Sequence, residues 1–205
     1  MQWKNDLIKD IRVNNCNDDV DGPFDFLTHI PKTITQEFSE CNHKALEESL
    51  LKCGEHLKYI LEIGVCRNGS DSSTHTIIKT ISKNPNSIYL GVDLEDKSFL
   101  NDTQKGIHTI KENSSNYNSV LSKLNSLGVN EIDYLLIDGW HSINQVLRDW
   151  EYTKILRRGG VVAFHDVTSH PGPFFFIKNL DKNIWEVFEN LCVMDHGFGY
   201  AIKLY

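Results

Sequence analysis

Between residues 131 and 167 the chain reads strand, helix, strand, and both strands stop on a polar cluster. The first strand, residues 132–137, ends in Asp138-Gly139-Trp140-His141; the second, residues 160–164, ends in His165-Asp166. Two apolar strands joined by an amphipathic helix form a parallel unit of an α/β sheet, because a parallel pair needs a crossover connection. In open sheets of that kind, ligands bind in the crevice beyond the carboxyl ends of the strands. The pattern therefore brings Asp138, His141, His165 and Asp166 to one edge.

The rest of the chain extends the same alternation. Leu46, Leu50, Cys53 and Leu57 form one apolar stripe, which predicts a helix over 44–58. Residues 59–65 read as a buried parallel strand and 66–70 as the turn after it, with a helix over 72–82. A second strand covers 87–92 and is closed by Asp93; a third, poorer in aliphatics, covers 106–111. A helix over 114–127 stops at Gly128, and the helix of the opening stretch covers 142–156, with Arg157-Arg158-Gly159-Gly160 as its C-terminal signal. Pro171-Gly172-Pro173 marks a loop, and a helix follows over 174–180. Residues 184–188 and 200–205 are two strands with no helix between them, hence an antiparallel pair. The fold class is α/β: a doubly wound, mostly parallel sheet with one antiparallel strand.

Two domain regions are expected. Residues 1–42 read as an N-terminal arm or a cap over the site, and 43–205 as the ligand-binding domain. The net charge of −7, with lysine and arginine scattered, speaks against a general nucleic-acid binder, whose affinity comes from neutralising phosphates. The expected partner is a small molecule, with homo-oligomerisation left open. No apolar run approaches the roughly 20 residues of a membrane span, and the N-terminus lacks the apolar core of a signal peptide. The five cysteines include no C-x-x-C pair and are expected to be reduced, in keeping with a cytoplasmic protein.

The first strand and turn bear on the cofactor. A dinucleotide needs G-x-G-x-x-G, with the middle glycine admitting the pyrophosphate. Here the spacing gives Gly64, Cys66 and Gly69, and the Cys66 side chain stands where a pyrophosphate would approach. That disfavours NAD and FAD. S-adenosylmethionine has no pyrophosphate; Glu62 or a neighbouring carbonyl would hold its ammonium group, and Asp93 its ribose hydroxyls. Asn113 and Ser114, at the end of the third strand, are placed either to touch adenine or to cap the following helix.

The run Glu62-Ile63-Gly64-Val65-Cys66-Arg67-Asn68-Gly69-Ser70 resembles the first motif of class I S-adenosylmethionine-dependent methyltransferases. Ile137-Asp138-Gly139, His141-Ser142, Val146, Asp149, Leu156, Gly159-Gly160 and Phe164-His165-Asp166 are similar to the branch containing macrocin-type and mycinamicin-type sugar O-methyltransferases and the proteins called cephalosporin hydroxylases. The resemblance implies a seven-stranded Rossmann-like sheet binding S-adenosylmethionine through Glu62, Gly64, Gly69, Ser70, Asp93, Asn113, Ser114 and Asp138. It implies a divalent metal, Mg²⁺ or Mn²⁺, held by Asp138 and Asp166 with His165 in the place of a further ligand. His141 matches the general base, beside Asp138 as the other catalytic residue. The expected reaction is methyl transfer to a hydroxyl of a sugar or other natural-product acceptor.

Trp140 and His165 depart from the branch, which often carries a small polar residue and an acid at those places. An imidazole in the set also brings Fe²⁺ and Zn²⁺ into range. These departures motivate the alternative of a catalytically inactive binding or assembly module. His141 is otherwise a neighbour of a helix cap, and His165 a structural histidine behind Asp166. His75, His108, His170 and His196 have no partner at a ligand spacing and read as surface or structural residues.

Overall fold

The computed structural model describes residues 38–66, 72–192 and 196–205. Strands β1 (Tyr59–Ile63), β2 (Ile88–Asp93), β3 (Ile107–Lys111), β4 (Ile132–Ile137), β5 (Leu156–His165), β6 (Trp185–Leu191) and β7 (Phe198–Lys203) form one sheet. Their order is β3-β2-β1-β4-β5-β7-β6. The first five strands pair in parallel, and β7 runs antiparallel to both β5 and β6. The expected doubly wound sheet with one reversed strand is what the chain forms.

Alternation along the strands divides the core. Ile132, Leu135 and Ile137 of β4 pack in one cluster with Val120, Leu124, Val146 and Phe176, which belong to α3 (Tyr117–Ser126), α4 (Ile143–Asp149) and α5 (Pro171–Asn179). Tyr134 and Leu136 pack in the other with Leu46, Leu50, Ile77 and Ile81, from α1 (Glu40–Leu51) and α2 (Ser73–Ile81). A strand buried on both faces is the reason such segments read as continuous apolar runs.

The helices expected over 44–58, 114–127 and 142–156 are shorter at one or both ends, and three differences from the sequence reading have a clear local reason. Helix α1 starts at Glu40 and not at 44, because the Ser39 side chain caps it by accepting the Asn42 N–H at 3.2 Å. Residues 157–160, expected to end a helix, lie inside β5 instead. The Arg157 guanidinium is paired with Asp133 on β4, whose other oxygen accepts the N–H groups of Lys58 and Tyr59 at 2.9 and 2.7 Å. That carboxylate thus draws the segment alongside β4. The Pro171-Gly172-Pro173 loop is the first turn of α5, since proline at the first helical positions costs no hydrogen bond.

The cysteine expectation is also corrected: Cys41 on α1 is bonded to Cys192 just past β6, their Cα atoms 5.7 Å apart. Packing α1 against the β6–β7 side of the sheet brings together two residues 151 apart in sequence, a proximity that spacing alone does not show. A bond of this kind persists in oxidising surroundings, so the reduced-thiol argument for a cytoplasmic protein does not hold. Cys53 and Cys66 remain free and buried. Among the described residues, no helix is long and apolar enough to cross a membrane.

Glu62, in the middle of β1, is buried outright. Its carboxyl accepts hydrogen bonds from Ser73 Oγ at 2.7 Å and from the Tyr89 hydroxyl. Burial raises its pKa from the ordinary 4.5 to about 7, against the lowering effect of the hydroxyls of Tyr89, Ser73 and Thr74.

Two stability predictions follow from these contacts. Cys41→Ser, or reduction of the wild type, lowers the melting temperature, with a loss of up to about 5 kcal/mol for a loop of this length; identical melts with and without reductant would refute the bond. Between pH 4.5 and 7 folded Glu62 keeps a proton that the unfolded chain has released, so its contribution falls as pH rises through that window and the penalty is complete above it. Glu62→Gln is therefore expected to flatten the stability–pH curve there and to gain on the order of a few kcal/mol at pH 8. Parallel curves for the two proteins would remove this account.

Candidate active site

The order of the sheet reverses between β1 and β4, so the crevice of this fold opens where those strands end. Gly64 follows β1 with φ of +84°, and a Cβ there would lie 2.0 Å from the Asp138 carbonyl oxygen. Only glycine lets the two strand ends come this close. The Gly64 N–H donates to the Val92 carbonyl at 3.0 Å, and the Asp138 N–H to the Ile63 carbonyl at 2.8 Å. Asp93, at the end of β2, accepts the N–H of Val65 at 2.9 Å and that of Glu95 at 2.8 Å, one on each oxygen. Its half-exposed carboxylate thus secures the turn after β1. The Glu62 carboxyl faces Ser73 and Tyr89 in the interior. Gly69 and Ser70 lie outside the described residues.

At the end of β3, Asn113 accepts the Ser115 N–H at 2.9 Å, and Ser114 Oγ accepts from Gln145 at 3.0 Å. Neither caps α3, which starts at Tyr117. Gln145 also donates to the buried Asp149 at 2.9 Å, tying α4 to this strand end.

The polar ends of β4 and β5 meet. Ile137 pairs with Phe164, which puts Asp138 beside His165. His165 Nδ1 lies 3.2 Å from Asp138 Oδ1 and 3.1 Å from Asp166 Oδ2. His141 Nε2 approaches the same two oxygens, at 3.6 and 3.2 Å. Burial works against ionisation of Asp166, but the imidazoles of His165, His196 and His141 outweigh it and hold the carboxyl well below the usual range. Burial likewise opposes charge on His165, and the two carboxylates override it. All four residues read from the sequence as one edge are brought together.

The structure adds residues that the sequence reading assigned elsewhere. His196, read as surface or structural, places Nδ1 at 3.1 Å from Asp166 Oδ1, and His170 places Nε2 at 3.9 Å from the same oxygen. Asn42, from the segment read as an arm or cap, stands 3.0 Å from His165 Nε2 across 123 residues. His170 reaches the site because the chain turns sharply at Asp166, which has φ of +61°, and the His170 N–H returns to the Asp166 carbonyl at 3.0 Å. The run His165-Asp166-x-x-x-His170 was the available signal for it; Asn42 and His196 had none. His75 holds Ser72 at the start of α2, in keeping with its structural reading.

Ligand atoms of Asp138, His165 and Asp166 lie within 4.8 Å of one another, which suits one divalent cation. The chemistry this edge offers is proton transfer and cation binding beside a glycine-lined crevice.

A search of curated protein sequences finds no match. Among solved structures, the chain is similar to MycE methyltransferase from the mycinamycin biosynthetic pathway in complex with Mg, SAH and mycinamycin VI. The identity is 16%, over 78% of this chain and 48% of that one, with a TM-score of 0.58. It is similar to CalS11, TDP-rhamnose 3'-O-methyltransferase of calicheamicin biosynthesis, at 13% identity over 98% and 94% of the two chains, with a TM-score of 0.58. An rRNA methylase from Streptococcus thermophilus matches at 12% identity over 84% of this chain and 100% of the other, with a TM-score of 0.52. The chain spans about half the length of the MycE chains, and at these identities the likeness is one of fold. A family model described as a methyltransferase domain matches residues 61–167, just over half of the chain, covering β1 to β5 and the cluster at their ends. The chain belongs to the methyltransferase domain family.

Proposed function

We propose that this methyltransferase uses S-adenosylmethionine to methylate a hydroxyl of a small acceptor of the sugar or natural-product type, assisted by a divalent metal. The observation that carries this reading is the convergence of Asp138, His141, His165 and Asp166 beside the Gly64 turn. Gly64 lets the turn after β1 close onto Asp138, which sets the cofactor's place next to that cluster, and the half-exposed Asp93 is positioned for ribose hydroxyls. Since Glu62 is engaged in the interior, the ammonium group falls to main-chain carbonyls of that turn.

Asp138, His165 and Asp166 would hold the metal, which when bound lowers the pKa of an acceptor hydroxyl. His141 Nε2, set against both carboxylates, takes the proton as the acceptor oxygen attacks the methyl group. The carboxylates orient the imidazole and stabilise its charged form. Trp140, 56% exposed between Asp138 and His141, offers an acceptor an aromatic face. MycE in complex with Mg, SAH and mycinamycin VI, and CalS11, a TDP-rhamnose 3'-O-methyltransferase, support this choice of cofactor and acceptor class. The net charge of −7 weighs against an RNA acceptor. Trp140 and His165 in place of the branch's residues motivate the alternative of an inactive module; His165 Nδ1, at 3.2 and 3.1 Å from the two aspartates, supports reading it as a further ligand of an active enzyme.

Calorimetry with SAH on the folded protein tests the cofactor, and absence of binding ends the proposal. Asp138→Asn and His141→Ala should lower methyl transfer to nucleotide sugars and glycosylated natural products by roughly 100-fold or more while sparing SAH affinity. Asp93→Ala should weaken SAH binding by about 10-fold or more, through lost hydrogen bonds. Equal loss of both properties in all three variants would overturn this division of roles.

A further inference from the structure

Asp166 has imidazoles on both sides. Its Oδ2 faces His165 Nδ1 and His141 Nε2, at 3.1 and 3.2 Å, and its Oδ1 faces His196 Nδ1 and His170 Nε2, at 3.1 and 3.9 Å. Ser169 Oγ donates to Oδ1 at 3.3 Å. Methyl transfer as proposed above uses only the Oδ2 side. A second group of ligand atoms, from His141, Asp166 and His170, falls within 4.8 Å, and it shares with the first group only Asp166.

This second group is held by the fold. The His141 and His170 rings lie 4.6 Å apart between centroids. The Gly172 N–H donates to the His141 carbonyl at 2.8 Å, and a Cβ on Gly172 would stand 2.5 Å from that oxygen. The first turn of α5, with His170 as its N-cap, is therefore pinned to the loop that carries His141. Two imidazole nitrogens and one carboxylate oxygen form a donor set for borderline ions such as Zn²⁺ or Co²⁺, whereas Mg²⁺ prefers oxygen ligands. Asp166 belongs to both groups, its Oδ2 between His165 and His141 and its Oδ1 toward His170, and a shared carboxylate is the usual bridge of two-cation sites.

We propose that His141, His170 and Asp166 form a second cation position that takes a zinc-type divalent ion and, when filled, occupies the Nε2 lone pair of His141. An imidazole bound in this way accepts no proton. The second ion thus silences the base assigned above while the first position, at Asp138, His165 and Asp166, remains intact. The inhibitory consequence rests on the proposed role of His141; the binding position does not.

The test is calorimetric titration of chelator-stripped protein with Zn²⁺, repeated with Co²⁺ and read by its visible absorption, and SAH binding measured on the same preparation. Two equivalents are expected for the wild type and one for His170→Ala, with Mg²⁺ filling no more than one. His170→Asn puts a favourable capping residue at the start of α5 and should also lose one equivalent, so a folding defect in the alanine variant does not decide the result. A single equivalent in the wild type, or a second one that survives both substitutions, overturns the proposal. Two equivalents without SAH binding would uphold the cation position and remove the methyl-transfer reading; SAH binding with one equivalent would do the reverse.

Discussion

The site depends on the register between β4 and β5. Because Ile137 pairs with Phe164, the next residue of each strand, Asp138 and His165, emerge side by side past the end of the sheet. Side chains alternate along a strand, so a slip by one residue would turn one of them into the opposite face. The register from Tyr134–Val161 onward is held by burial on both faces, while Asp133, at the irregularity before it, gathers Arg157 from β5 and the N–H groups of Lys58 and Tyr59 at the start of β1.

Two close approaches convert this alignment into a site. At Gly64 the end of β1 comes up against Asp138, which joins the turn after β1 to the polar cluster. At Gly172 the start of α5 comes up against His141, which gives that loop a fixed position. The turn at Asp166, a non-glycine residue with positive φ, stores strain of order 1 kcal/mol. It is also the turn that sends His170 back toward the carboxylate.

The interior beneath the crevice carries its own electrostatic cost. Glu62 is neutralised by burial and held by Tyr89 and Ser73, so it acts as a hydrogen-bonded strut between β1, β2 and α2. Asp93 combines two tasks in one half-exposed carboxylate: it ties down the Val65 and Glu95 N–H groups and presents its edge to the crevice. The disulfide between Cys41 and Cys192 holds α1, and with it Asn42, against the side of the sheet where His196 enters.

What was legible in the sequence was what local periodicity and strand ends encode. Apolar runs marked every strand but the third, whose few aliphatics suit a place at the sheet edge, because a buried strand can carry few polar side chains. The polar clusters after two of them identified Asp138, His141, His165 and Asp166, because strand ends in this fold share one edge. Tertiary structure decided the rest. Residues 157–160 look like a helix end until Asp133 on the neighbouring strand is there to pair with Arg157. Cys41 and Cys192, Asn42 and His165, and His196 and Asp166 are distant in sequence and carry no local pattern. They meet only because helices and strands pack at fixed angles and register, and a single chain of residue types does not contain that geometry.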